Sequence, residues 1–126
     1  LFDNLFPSLP QVLDGKLNGL CVTTTERSAS APNLPTMREG APELANFDVS
    51  SWFGIFLTKA TPRPIVDELN AQIKAMLERD EIKKNIASMG ARGDWGTPEQ
   101  FSTFVEAETK KFAAIIEKEG LEMDVK

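Results

Sequence analysis

The stretch LFDNLFPSLPQVLDGKLNGLCVTTT, residues 1–25, decides the fold class. Leu1-Phe2 has the apolar opening of a short buried strand, already under way where the sequence begins, which is expected of a segment cut from a longer chain. Asp3 and Asn4 are turn formers. Ser8-Leu9-Pro10-Gln11 has the spacing of a capping box, so a short helix is predicted from there, with Val12 and Leu13 toward the core and Gly15 ending it in the left-handed conformation. Leu17 to Thr25, rich in Leu, Val and Thr and bounded by Gly15 and Glu26-Arg27-Ser28, reads as a second strand. Strand, helix and strand in so short a span make a tight βαβ unit, and parallel strands require such a crossover. The predicted class is therefore α/β.

Downstream, Ser28 to Asn46 is a surface connection rich in Ser, Ala, Pro and Gly, with one short helical possibility at Thr36 to Glu39. Phe47 to Thr58 (FDVSSWFGIFLT) is the most β-prone stretch, and Gly54 within it predicts a bend or a close backbone approach. The period then changes. Thr61 is a candidate cap and Pro62 suits a first helical position, followed by Ile65, Val66, Leu69, Ile73, Met76 and Leu77 on one helical face. Asp80 is the expected cap of a shorter helix carrying Ile82, Ile86 and Met89 and closed by Gly90. Thr97-Pro98-Glu99-Gln100 starts a third helix, whose stripe includes Phe101, Phe104, Phe112 and Ile116 and which stops at Gly120.

Composition removes several functions. The chain has 126 residues, 41% of them hydrophobic and 26% charged, which suits one α/β body or parts of two lobes and rules out a disordered or fibrous class. No window reaches the run of about 20 apolar residues that a membrane span needs, and the first residues do not form a signal peptide. A net charge of -5 without a basic cluster argues against nucleic acid as a partner. With no histidine and a single cysteine, the chain lacks the usual base of a hydrolytic triad and the ligands of a zinc site, so neither a catalytic residue nor a metal or cofactor is expected. Cys21, in the apolar run Leu20-Cys21-Val22, reads as a buried and inert thiol. The paired carboxylates Asp67-Glu68 and Glu106/Glu108 read as solvated helix faces.

Two stretches remain as candidate ligand sites. At Asp3-Asn4-Leu5-Phe6-Pro7-Ser8 a strand end meets a capped helix. Backbone N–H groups near Leu5 and Ser8, with the side chains of Asp3 and Asn4, are arranged as a small-anion site would need, although Asp3 and Asn4 equally suit a plain turn. At Val49 to Gly54, the hydroxyls of Ser50 and Ser51 lie beside Trp52, a combination that offers hydrogen bonds next to an apolar wall. Trp52 and Phe53 also read simply as core.

These same residues carry a family resemblance. Phe2-Asp3-Asn4-Leu5, Ser8-Leu9-Pro10, Gly15-Lys16-Leu17, Val22-Thr23, Arg27-Ser28 and Pro35-Thr36 resemble, in order and spacing, the second half of the Bug/TctC receptors of tripartite tricarboxylate transporters. Val49-Ser50-Ser51-Trp52-Phe53-Gly54, Thr61-Pro62, Leu69-Asn70, Gly90-Ala91 and Gly96 to Phe101 continue the match over nearly the whole chain. Leu57 to Ala60 and Ala41 to Asn46 depart from the family pattern.

The resemblance implies a partial type II periplasmic-binding-protein architecture: the end of one lobe, a crossing strand, and the closing helices of the other lobe. Residues 1–46 would be the remnant of ligand-binding lobe 2, a βαβ unit plus loop, and residues 47–126 the crossing strand and C-terminal helices of lobe 1. It also implies a periplasmic, non-enzymatic solute-binding protein. Such a protein recognises a small carboxylate, a di- or tricarboxylate or an acidic amino acid, and delivers it to a membrane permease. The family's glycine-rich first ligand loop belongs to the half not represented in this sequence. The alternative is a structural or interaction fragment that binds no ligand on its own. On either reading, apolar faces without their partners are expected to drive homo-oligomer formation.

Overall fold

The structure, a computed structural model, describes residues 1–121. Four helices form its frame: α1 (Leu5–Leu13), α2 (Arg63–Leu77), α3 (Asp80–Ser88) and α4 (Pro98–Glu119). Two single turns of 3-10 helix, Met37–Glu39 and Pro42–Leu44, punctuate the connection between α1 and α2.

The three predicted closing helices are present, with small differences at their starts. In α4 the predicted capping box is formed: the Gln100 N–H donates to Thr97 Oγ1 at 3.2 Å and the Thr97 N–H to Gln100 Oε1 at 2.8 Å. In α2 the cap position is Pro62 rather than Thr61, whose hydroxyl pairs with that of Thr58 at 3.1 Å. In α3, Asp80 lies inside the first turn with Glu81, where both carboxylates face the positive end of the helix dipole. Helix α1 begins at Leu5, earlier than predicted. Ser8 does not cap it from outside, because its hydroxyl donates to Asp3 Oδ2 at 2.6 Å from within the first turn.

The predicted strands are not formed among the described residues. Leu1 to Asn4 is irregular, and Leu1 and Phe2 are fully or largely exposed. Leu17 to Thr25 contributes an isolated parallel bridge, Val22 to Thr36, made by Val22 N–H to Pro35 O at 2.8 Å and Met37 N–H to Val22 O at 2.9 Å. Phe47 to Thr58 has no ladder partner among these residues and adjoins the earlier segment through Val49 N–H to Thr23 O at 3.2 Å. The α/β mix is thus not shown. β-propensity describes how well a residue suits a pleated surface flanked by other strands, and the described chain supplies no such flank. Cys21 is exposed rather than buried for the same reason: the strand that would have carried it into a sheet interior is not assembled.

Short, specific links join the elements. Gly93 approaches Leu77 of α2 and Ile86 of α3 so closely that a Cβ there would lie 2.9 Å from Leu77 Cδ2. Asn70 of α2 donates from Nδ2 to Gly96 O at 2.9 Å, Trp95 donates from Nε1 to Asn70 O at 3.3 Å, and the Lys74 ammonium lies 4.5 Å from the Trp95 ring centroid. On α4, Phe101 and Phe104 receive the edge of Trp52 at centroid distances of 6.0 and 5.2 Å, and Phe101 also meets Phe56 at 5.2 Å. The first part of the chain rests on the end of α3, through Ser30 Oγ to Ala87 O at 2.9 Å and through Leu5 against Gly90.

Burial is slight. Among the described residues only Ala31 and Thr36 are buried. The accessible surface is 10355 Å² for a 13.9 kDa chain, whereas a folded monomer of that mass exposes about 6,700 Å².

Candidate functional site

The start of α1 gathers Asp3, Asn4, Leu5 and Ser8. Asp3 takes the Asn4 N–H on Oδ1 at 2.8 Å and the Ser8 hydroxyl on Oδ2 at 2.6 Å. These two bonds, the Ser8 hydroxyl first, hold the Asp3 carboxyl below its ordinary pKa, so it is ionised at neutral pH. Helix geometry leaves the first N–H groups of α1 without intrahelical acceptors. Pro7 has none to offer, so the free donors are those of Leu5 and Phe6. The Ser8 N–H, four residues beyond Asn4, lies where the i→i−4 ladder begins, so Ser8 contributes its hydroxyl instead. A negative group at this point meets two N–H donors with an ionised carboxylate at their side.

Leu5 also faces a groove. With Phe6, Leu9, Leu13 and Gly90, it lines an open apolar hollow of about 350 Å³ between α1 and the end of α3. Gly90 has φ of 66°, a conformation that suits glycine, and its missing side chain lets Leu5 approach to where a Cβ would lie 3.3 Å away.

The second predicted stretch stands elsewhere, beside α4. Ser50 and Ser51 are exposed and make no side-chain hydrogen bond among the described residues, and Trp52 turns its ring edge to Phe101 and Phe104. Trp52 thus packs on α4 but is itself exposed, and Phe53 is 96% exposed, so neither is core among the described residues. Asp3, Asn4 and Ser8 are brought together, Ser50, Ser51 and Trp52 follow one another along the extended segment, and the hollow that Leu5 lines includes none of the latter three.

One polar cluster escaped the search for site residues. Glu39 accepts from Arg27 Nε at 3.0 Å, from the Thr36 N–H at 3.0 Å and from the Thr36 hydroxyl at 3.2 Å, while Arg27 Nη1 donates to Pro32 O at 3.2 Å. The Arg27 guanidinium is the largest cause, ahead of the Thr36 N–H, of a Glu39 pKa lowered from 4.5 to about 2. The signal was the Thr-x-x-Glu spacing at Thr36 to Glu39, which marks a capping box on a single helical turn. The cluster closes the connection between α1 and α2 upon itself.

The sequence pattern described as the tripartite tricarboxylate transporter family receptor, TctC, matches residues 1–121. The chain belongs to this family. Among its relatives, BugT of Bordetella pertussis is 30% identical over 122 residues, a match covering 96% of this chain and 36% of BugT. A Pseudomonas protein of the UPF0065 group is 28% identical over 116 residues, covering 92% of this chain and 34% of that protein. In structure, the TctC-family chain is similar to R. palustris Rpa4515 with adipate, with a TM-score of 0.79 and 30% identity over 94% of this chain and 39% of that one. It is similar also to the periplasmic binding protein BugD, with a TM-score of 0.76 and 29% identity over 91% of this chain and 38% of that one. The chain therefore spans between about a third and two fifths of the length of these four relatives. The family is one of periplasmic solute receptors, and no helix among the described residues is long and apolar enough to cross a membrane.

Proposed function

We propose that this chain contributes part of a carboxylate-binding cleft in a periplasmic solute receptor that serves a tripartite tricarboxylate transporter. The reading rests on one observation: a TM-score of 0.79 over 94% of this chain to a protein described with adipate, a dicarboxylate. In this reading residues 1–46 derive from one lobe, and residues 47–126 supply a crossing segment and the closing helices of the other. Residues 122–126 lie outside the described residues.

The chemistry is recognition without reaction. The Leu5 and Phe6 N–H groups offer donors to a ligand carboxylate, and the dipole of α1 favours its charge. Ionised Asp3 repels a carboxylate brought into direct contact, so its part is to orient Asn4 and Ser8, or to accept from a ligand ammonium or hydroxyl group. An acidic amino acid or a hydroxylated di- or tricarboxylate would use that acceptor, whereas a plain dicarboxylate would rely on the N–H donors alone. Ser50, Ser51 and Trp52 supply hydroxyls and an apolar wall from the other segment. The ligand then passes to the membrane permease.

Titration calorimetry with adipate, citrate and glutamate tests this, with the sequence of this chain carried in a receptor of family length. At least one ligand is expected to bind, and Asp3→Ala and Ser50→Ala to weaken it by about tenfold or more, as loss of a charge-assisted or buried hydrogen bond does. Absence of binding across the panel, or binding indifferent to both substitutions, refutes the site. A second reading, an interaction fragment incompetent for ligand alone, is favoured by the large exposed surface. On that reading the 126-residue chain takes up none of these ligands while the longer receptor does.

A further inference from the structure

Three backbone groups just before Ser50 are held from different parts of the chain. Arg38, on the first 3-10 turn, donates from Nε to Phe47 O at 2.9 Å, and the Val49 N–H donates to Thr23 O at 3.2 Å. Between them, Asp48 O accepts from Lys111 Nζ of α4 at 3.2 Å. Successive carbonyls of an extended segment point to opposite edges, so this one is gripped on one edge by residues that precede α2 and on the other by α4. The Lys111 grip is itself braced. Glu108, one helical turn earlier, pairs with the ammonium at 2.5 Å, and with Lys111 33% and Glu108 15% exposed this is the least exposed ion pair among the described residues. Glu108 is thus not the freely solvated carboxylate that the sequence predicted. Partial shielding from water strengthens the pair and fixes the ammonium, one of whose three donors serves the Asp48 carbonyl.

The same helix takes hold of the chain again four residues later, where Trp52 turns its ring edge to Phe101 and Phe104. Ser50 and Ser51 therefore hang between two anchor points on α4. Along the helix those points lie about 10–15 Å apart, at 1.5 Å per residue from Lys111 back to Phe104 and Phe101. Four extended residues span about 13 Å, so the serine stretch has little slack. We propose that Lys111, braced by Glu108, is a positioning residue for Ser50 and Ser51, which it sets through the Asp48 carbonyl; this rests on the reading above in which those serines supply hydroxyls to a ligand carboxylate. Their hydroxyls make no hydrogen bond among the described residues, so their placement comes from the backbone that Lys111 and Trp52 hold. A charged donor makes that hold stronger than a neutral one.

Titration calorimetry on a receptor of family length that carries this sequence, with adipate, citrate and glutamate as probes, tests the role. For the probe that binds, Lys111→Met is expected to weaken binding by about fivefold or more, and Lys111→Arg, which keeps a charged donor, by less than about twofold. In a background of Ser50→Ala with Ser51→Ala, Lys111→Met is expected to cost less than about twofold further, because residues that act as one unit are not additive. A general loss of packing lowers affinity equally in both backgrounds, and that result overturns the proposal. Native affinity in Lys111→Met overturns it too; where Ser50→Ala still weakens binding, the serine site stands and only the positioning role falls. No binding of any probe, or binding indifferent to Ser50→Ala, overturns both. Glu108→Gln, which keeps a polar group and loses the charge that braces Lys111, carries the same comparison at about threefold where Lys111→Met does not fold.

Discussion

Glu39 shows how one side chain can close a long connection. It holds Arg27, the Thr36 N–H and the Thr36 hydroxyl at once, and Thr36 is one of two buried residues among those described. Its carboxyl is lowered from 4.5 to about 2, so the folded state prefers the ionised form more strongly than the unfolded state does. The stabilisation is complete above the ordinary value and is lost as pH falls from 4.5 toward 2. Thermal melts are therefore expected to shift downward over that window in the native chain and to shift less in Glu39→Gln; equal shifts would mean that the Arg27 and Thr36 bonds do not distinguish the charged form. Partial exposure of the pair keeps the effect modest. At Asp3 the same physics serves geometry, because two donors lock the carboxylate against the first turn of α1. Nothing in the residue types at positions 3, 4 and 8 distinguished that lock from a plain turn.

At the scale of elements, the helices follow from period and caps, and the extended segments do not follow from propensity. Helix α4 carries its own start in the Thr97 and Gln100 box and its own stop at Gly120, where φ is 62°. Its aromatic stripe also organises the segment before it. Gly54 has no side chain because Phe101 occupies that space, wedged between Trp52 and Phe56. Gly54→Ala is expected to force this ring cluster apart and to cost about 1–3 kcal/mol, the range for overpacking, measured by denaturant unfolding followed through tryptophan fluorescence. A variant as stable as the native chain would mean that the aromatic cluster is loose enough to yield. The expected bend or close approach at Gly54 is thus a close approach, and α4 is its cause.

For the whole molecule, the deciding quantity is how little is hidden. With only Ala31 and Thr36 buried among the described residues, the apolar faces of α1, α4 and the segment from Trp52 to Leu57 gain little from being removed from water. Calorimetric unfolding of dilute monomer is expected to show an enthalpy well below the roughly 0.7 kcal/mol per residue of ordinary globular proteins near 60 °C. A full-sized, sharp transition in the monomer would show that the exposed surface is not bare in solution. The exposure fits a chain that spans under two fifths of the length of its structural neighbours, since the receptor architecture distributes contacts over all of it.

The amino-acid sequence by itself determined the family, the closing helices and most of their ends, because periodicity and capping are local: each is satisfied by residues three or four apart. It also marked both candidate stretches, since Asp3-Asn4 and Ser50-Ser51-Trp52 are read in order along the chain. Which residues of the Trp52 to Leu57 segment pack on α4, and whether β-prone residues become strands, were decided only in three dimensions. A strand's hydrogen bonds belong to its neighbours, and a pocket's walls come from elements far apart in sequence, so no local pattern specifies either.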